Sequence, residues 1–200
     1  MKTAIIGWGS LLWDDRPQFD QHHGSWHFDG PLLRLEFSRI SISRKRALTL
    51  VLEEEIGAEC RVAYTVSHRE TLAQAAHDLR IRESATDTEI GVYLPRSDAS
   101  ELSLSAIPQT IADWADQTDF DAVIWTGLPN NFREMNDQGE SFSHASAIAH
   151  LESLCDEGKR KAAEYIFRAP GFIRTPLRTE LESLDWFAQL WTGTQKLPRL

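Results

Sequence analysis

Two hundred residues carry 21 Lys and Arg against 30 Asp and Glu, a formal net charge of −9, with 42% apolar and 26% charged residues. That length and balance suit one folded domain and exclude wholesale disorder. An acidic chain without a basic stripe is a poor match to nucleic acid or to an anionic membrane surface, so neither is expected as a partner.

Elements are taken in chain order. Residues 2–6 predict a short apolar strand that stops at Gly7-Trp8-Gly9-Ser10. Residues 14–31 are rich in turn formers and lack helical periodicity, which predicts a long irregular connection. Strands are expected over 32–43, 47–53 and 60–67. In the first of these the alternation Leu33, Leu35, Phe37 changes phase to Ile40, Ile42, as a β-bulge near Ser38 or Arg39 would make it. Glu53-Glu54-Glu55 with Gly57 is expected to be a solvated hairpin turn. Ser67 through Glu70 has capping-box spacing and predicts a helix over 68–83 with Leu72, Ala76 and Leu79 on one stripe. A strand at 90–94, a helix near 107–117 and a strand at 121–126 follow, then a polar turn at 128–131. The remainder predicts helices at 143–156, 158–168 and from Thr175-Pro176 to about 190. No repeat or linker cuts the chain, so a single α+β domain over 1–200 is expected.

Cys60 and Cys155 stand far apart in apolar settings and are expected to be buried, reduced thiols. The apolar stretch at the N-terminus is too short for a signal peptide, and no run approaches the ~20 residues of a membrane span. A cytoplasmic protein is the expectation.

Four features could carry chemistry. Gly7-Trp8-Gly9 follows a strand, but a dinucleotide fingerprint needs a third glycine where Leu12 stands. A nucleophile elbow is absent too, because Leu11 and Leu12 follow Ser10. What remains is either a plain strand-ending turn or one whose backbone N–H groups converge on a small anion such as a carboxylate. His22, His23 and His27 cluster in the irregular connection, with no carboxylate or Cys motif beside them, and read as a surface loop and not as a metal site. Arg34, Arg39, Arg44, Lys45 and Arg46 concentrate positive charge that reads as a solvated strand edge, of which one Arg could serve an anionic substrate.

The fourth is Glu83. It lies four residues beyond Leu79, seven beyond Ala76 and eleven beyond Leu72, on the core-facing stripe. A carboxylate there is either partly desolvated, which raises its pKa toward that of a general base, or paired with Arg80 or Arg82 at a frayed end.

Gly7-Trp8-Gly9-Ser10-Leu11-Leu12-Trp13 resembles the G-Y-G-S-L-I-W opening of the γ-glutamylcyclotransferase-like superfamily, closest to its ChaC-type branch. Arg46-Ala47-Leu48-Thr49-Leu50-Val51 and Arg61-Val62-Ala63-Tyr64 are similar to that branch's second and third strands. Leu79-Arg80-Ile81-Arg82-Glu83 followed by Ile90-Gly91-Val92-Tyr93 is similar to its L-x-x-R-E…G-Y segment. The likeness covers residues 1–94 well and the C-terminal half only loosely.

This resemblance implies a small mixed β-barrel flanked by helices, with extra C-terminal helices and no metal or organic cofactor. It implies cyclisation of a γ-glutamyl small molecule to 5-oxoproline, with Glu83 catalytic and Gly7, Trp8, Gly9, Ser10 and Leu11 binding substrate. Two departures stand out: Trp8 replaces the family Tyr, and residues 120–150, with Thr126 to Phe132, have no counterpart in the branch. Glutathione specificity therefore does not carry over, and the oligomeric state is left open. Two other functions are weighed beside it. One is a non-catalytic protein on the same fold that binds a small carboxylate or amino-acid derivative. The other is an interaction domain presenting an exposed Trp patch.

Overall fold

The computed structural model describes residues 1–96 and 107–194. Its strands are β1 (Thr3–Gly7), β2 (Leu32–Ser41), β3 (Ala47–Leu52), β4 (Ala58–Arg61), β5 (Ala63–Val66), β6 (Ile90–Tyr93) and β7 (Ala122–Thr126). Its helices are α1 (Pro17–Asp20), α2 (Leu72–Glu83), α3 (Gln109–Asp116), α4 (Phe132–Met135), α5 (His144–Ser153), α6 (Asp156–Arg168), α7 (Pro176–Ser183) and α8 (Asp185–Thr194). The class is mixed α+β. The strands make a four-stranded sheet, β5-β1-β7-β6, and a three-stranded sheet, β3-β2-β4. Neither strand order closes on itself. No helix among the described residues is long and apolar enough to cross a membrane.

The chain groups into two compact units, Met1–Leu33 with Arg61–Leu128, and Arg34–Cys60 with the residues from Pro129 onward. In the first, β1 runs antiparallel to β5 and parallel to β7, placing Ile5 beside Thr65 and Ile124. Ile5, Ile90 and Ile124 share a core with Leu11, Phe19, Ala75, Leu79 and Ala85, so α2 lies over that face of the sheet. Burying each large aliphatic side chain contributes roughly 1.5–3 kcal/mol. Leu72 and Ala76 pack against the same core, as their stripe predicts.

Several local expectations are corrected in this unit. The capping box is at Thr71, whose Oγ1 accepts from Gln74 N at 3.3 Å, and not at Ser67. Ser67 instead follows the end of β5, donating its backbone N–H to the Thr3 carbonyl at 2.9 Å. The strand expected over 60–67 is two, β4 and β5, parted at Val62, whose N–H and C=O pair with Pro31 O and Gly30 N. The connection over 14–31 is not structureless: it holds the single turn α1 and then bonds β5, with Gly24 N on Val66 O and His27 on Tyr64 in both directions. That pairing covers an edge strand.

In the second unit β2 pairs antiparallel with β3, and its register slips between Glu36–Val51 and Arg39–Thr49. Three steps on β2 face two on β3, which is the expected bulge. Its consequence goes beyond the alternation pattern. Leu35, Glu36, Phe37 and Ser38 are all buried, and Ile42 lies outside the strand and is exposed. Residues 53–57 are no hairpin, since β3 and β4 flank β2 on opposite sides. The chain crosses the end of β2 there, and a Cβ on Gly57 would stand 2.4 Å from the Glu53 carbonyl. Asn131 completes β2, its Oδ1 accepting from Ile40 N (2.8 Å) and its Nδ2 donating to Ile40 O (3.1 Å). The helix expected from 176 to about 190 is broken into α7 and α8 at Leu184.

Candidate functional site

All six residues singled out for substrate binding and catalysis lie in the first unit. Gly7 ends β1, and a Cβ there would stand 2.5 Å from the Trp26 ring, so glycine is what allows Trp26 to lie over the strand end. Trp8 is extended and buried, then Gly9 takes φ +58° and opens a turn of 3₁₀ helix over Gly9–Leu12. That φ favours glycine, because a Cβ is strained in the left-handed region. In the i→i−3 pattern of such a turn the cap carbonyl of Trp8 accepts from Leu11. The amides of Gly9 and Ser10 are then the two left without an acceptor inside the turn.

Glu83 is the last residue of α2, and Ser84 closes the helix in the left-handed conformation at φ +52°. A carboxylate at a helix C-terminus opposes the macrodipole, so this placement is not explained by helix stability. Its side chain is 17% exposed, and its Oε1 lies 3.2 Å from Nη1 of Arg82. Of the two arrangements the sequence left open, the structure has both a largely desolvated carboxylate and a pair with Arg82.

The sequence marks Arg82 only as an ion-pair partner. Its side chain is 5% exposed, more buried than the carboxylate it meets. Its Nη2 donates to the carbonyls of Ser10 (3.0 Å) and Asp14 (2.9 Å), while Nη1 donates to Glu83. One guanidinium therefore ties together segments 72 residues apart in sequence. Hydrogen bonds to a charged group are worth roughly 1.5–3 kcal/mol each, so the junction is a firm one. Nε of Arg82 is buried and meets no acceptor among the described residues. Adjacent Arg-Glu letters are the only signal in the sequence; nothing there says which carbonyls the arginine reaches.

Beside α2 lies an open groove of about 330 Å³ with an apolar floor of Ala73, Ala76, Ile90 and Val92. Arg80, paired with Asp87 at 3.1 Å, and His77 stand on its rim. Glu83 is three residues past Arg80 and seven past Ala76, on the same side of the helix.

The other candidates are absorbed structurally. His23 is not a surface residue: its ring packs between Phe19 and Trp26, and Nδ1 lies 2.7 Å from the Gly24 carbonyl. His27 stacks on Tyr64. Among the described residues no three His, Cys, Asp or Glu side chains are grouped to hold a metal ion. Of the basic cluster, Arg39 donates to Pro129 O, Arg46 to Met135 O and Asp137, and Arg44 lies over the Tyr165 ring. Cys60 is buried, and burial pushes its thiol pKa up, but Cys155 is exposed at the start of α6. Among the described residues Trp8 and Trp125 are buried and Trp13, Trp26, Trp114, Trp186 and Trp191 are half-buried, so no Trp stands fully exposed.

One carboxylate carries no signal in the sequence. Glu36 is fully buried, accepting from Phe37 N (2.8 Å), the Thr175 hydroxyl and Leu177 N (3.4 Å) at the start of α7. Nε2 of His144 lies 3.9 Å from it. Burial raises its pKa, and the three donors and His144 offset only part of that rise.

No protein-family model matches this chain, and no curated protein and no solved structure matches it either.

Proposed function

We propose that the chain is a cofactor-independent cyclotransferase acting on a γ-glutamyl small molecule. One observation carries the reading: the Gly7–Leu11 turn and Glu83, distant in sequence, are joined through Arg82. The likeness of both segments to γ-glutamylcyclotransferase motifs supplies the chemistry. The amides of Gly9 and Ser10 hold the substrate's α-carboxylate, which turns a flexible glutamyl chain into an oriented one. Glu83 takes a proton from the α-ammonium group, and the freed amine attacks its own γ-carbonyl carbon. A C–N bond forms to give the tetrahedral intermediate. Collapse then breaks the bond to the leaving nitrogen, which receives the proton from Glu83, while the ring nitrogen gives up its second proton to the carboxylate so freed, and 5-oxoproline departs. The groove beside α2 receives the leaving portion. The same reading carries a small barrel, which the two open strand orders do not by themselves form, and a cytoplasmic setting.

The Arg82–Glu83 pair also suits a second reading, a binding protein for a small carboxylate in which Glu83 is occupied by its cation and transfers no proton. Mass-spectrometric assay of 5-oxoproline release from a panel of γ-glutamyl peptides and amines separates the two. Product from the wild type but not from Glu83→Gln is expected. Thermal stabilisation by panel members without any product would favour the binding protein.

A further inference from the structure

We infer that Arg82 is the positioning residue of the site, setting the turn that binds the substrate's carboxylate in register with the carboxylate that moves its proton. This rests on the reading just given, although its structural half can be tested without turnover.

The geometry separates Arg82 from an ordinary surface ion pair. An exposed pair between neighbouring side chains needs no burial and contributes little. Here the guanidinium is almost wholly buried and directs Nη2 at two main-chain carbonyls of another segment. Those carbonyls belong to Ser10, inside the 3₁₀ turn, and Asp14, just beyond it. Holding both fixes the turn's pitch relative to α2 and so fixes where the Gly9 and Ser10 amides stand. The same group meets Glu83 through Nη1, which fixes the carboxylate's side of the arrangement. Effective molarity in an intramolecular attack depends on such relative placement, so a shift on the order of 1 Å is costly. Lysine cannot substitute, because a single ammonium lacks the planar fork that spans three acceptors.

Arg82 also contributes charge. A cation beside a carboxylate favours its ionised form, which is the proton-accepting form required before attack. The other charged groups nearby are engaged elsewhere: Arg16 with Asp14, Arg80 with Asp87, and Asp20 of α1 with the Arg16 amide. Removing the Arg82 charge therefore takes away a cation 3.2 Å from the Glu83 carboxylate.

The test compares wild type, Arg82→Met and Arg82→Lys. For Arg82→Met, kcat/KM for the best γ-glutamyl substrate should fall on the order of 100-fold. The acid limb of its pH profile should move up by about one unit as Glu83 loses its cation. For Arg82→Lys the acid limb should stay near the wild-type position, while kcat/KM still falls at least about tenfold. A limb that does not move in Arg82→Met, or a wild-type kcat/KM in either variant, would overturn the inference. If Arg82→Met does not fold, the Lys variant alone decides: a kcat/KM at least about tenfold down with an unmoved acid limb supports the inference, and a wild-type kcat/KM overturns it.

If the wild type releases no 5-oxoproline, the cyclotransferase reading fails and the positioning role is judged by two other measurements. Amide exchange at Asp14, whose N–H bonds Ser10 O at 2.9 Å, should quicken in Arg82→Met. The ¹³C-carboxyl titration of Glu83 should shift to higher pH. No change in either would overturn the positioning role whatever the reaction.

Discussion

The Glu83 carboxylate lies 3.2 Å from a guanidinium and leaves 17% of its side chain exposed, whereas Glu36 is wholly buried and met mainly by neutral donors. Each belongs to a different compact unit, and each stands where a charge is costly. Glu83 ends a helix, against the macrodipole; Glu36 faces the start of α7, with the macrodipole, but deep in a core. A cation and partial exposure keep a carboxylate available to exchange protons with a ligand. Hydroxyl and amide donors around a sealed carboxylate satisfy its oxygens, yet leave burial to raise its pKa. The first arrangement suits chemistry and the second suits holding a β-bulge against a helix start.

The largest expected effect is on turnover. On the proposed cyclotransferase reading, Glu83→Gln removes the proton acceptor and should lower kcat about 10²–10⁴-fold, the range typical of a lost general acid–base group. Gln keeps an oxygen for Nη1 of Arg82 but not the charge beside that nearly buried guanidinium, so stability should fall by roughly 1.5–3 kcal/mol while the chain still folds. Denaturant melts run beside 5-oxoproline assays check both halves. Glu36→Gln should leave kcat unchanged, and loss of activity in that variant with a normal fold would break the comparison.

Next comes the turn itself. Gly7→Ala sets a Cβ against the Trp26 ring, and overpacking of this kind costs about 1–3 kcal/mol. Tm should drop by several degrees, because the Trp26 ring that packs over the strand end must shift. Gly171→Ala, where no atom lies within 4 Å of the added Cβ, serves as the neutral control.

Glu36 gives a smaller effect with a definite sign. Its folded pKa is raised above the unfolded value, so the folded state holds the proton more tightly. The associated stability is present below about pH 4.3, the unfolded value, and is lost as pH rises through the folded pKa. Glu36→Gln keeps an acceptor for Phe37 N, turns an NH2 toward Leu177 N, and removes the titration. The unfolding free energy of the variant should therefore gain on the wild type as pH rises above about 4.3. Glu36→Leu would instead strand those donors, at roughly 1–3 kcal/mol for each one left unsatisfied, and should be the less stable variant at every pH.

Why one carboxylate is legible in the sequence and the other is not follows from what places them. Glu83 sits on a periodic stripe with Leu72, Ala76 and Leu79, so helical periodicity alone tells which way it points. The bulge follows from alternation in the same way, whereas the break between β4 and β5 at Val62 does not. Glu36 occupies the outward phase between Leu35 and Phe37 by simple alternation, and only the bulge turns it inward. A phase change can be read from sequence; which polar residue it swallows depends on Thr175 and Leu177, some 140 residues away. The reach of Arg82 to Ser10 and Asp14 is hidden for the same reason, as is the break at Leu184, where the apolar pattern continues through a chain that turns. Ser67 misleads because its spacing matches a capping box while its backbone is already committed to Thr3.

The smallest effect sharpens the contrast from the basic side. His150 is buried on α5 and donates Nε2–H to the Arg46 carbonyl at 2.9 Å, which fixes a neutral tautomer. Desolvation lowers its pKa from 6.5, with the Arg46 charge adding to that, against opposing contributions from the Arg46 carbonyl and Asp137. The unfolded chain thus binds a proton at a pH where the folded chain does not. Stability is present above pH 6.5 and is lost as pH falls through the folded value, the opposite slope to that of Glu36. Below pH 6.5 the two act against each other, and wild-type melts alone would show only their difference. In the Glu36→Gln background the His150 slope should stand out, with the urea midpoint falling as pH drops from 6.5. Adding His150→Gln should then remove most of that fall. A midpoint that still fell as steeply in the double variant would place the acid sensitivity elsewhere, on carboxylates such as Asp119, whose pKa the bond from Lys2 holds down.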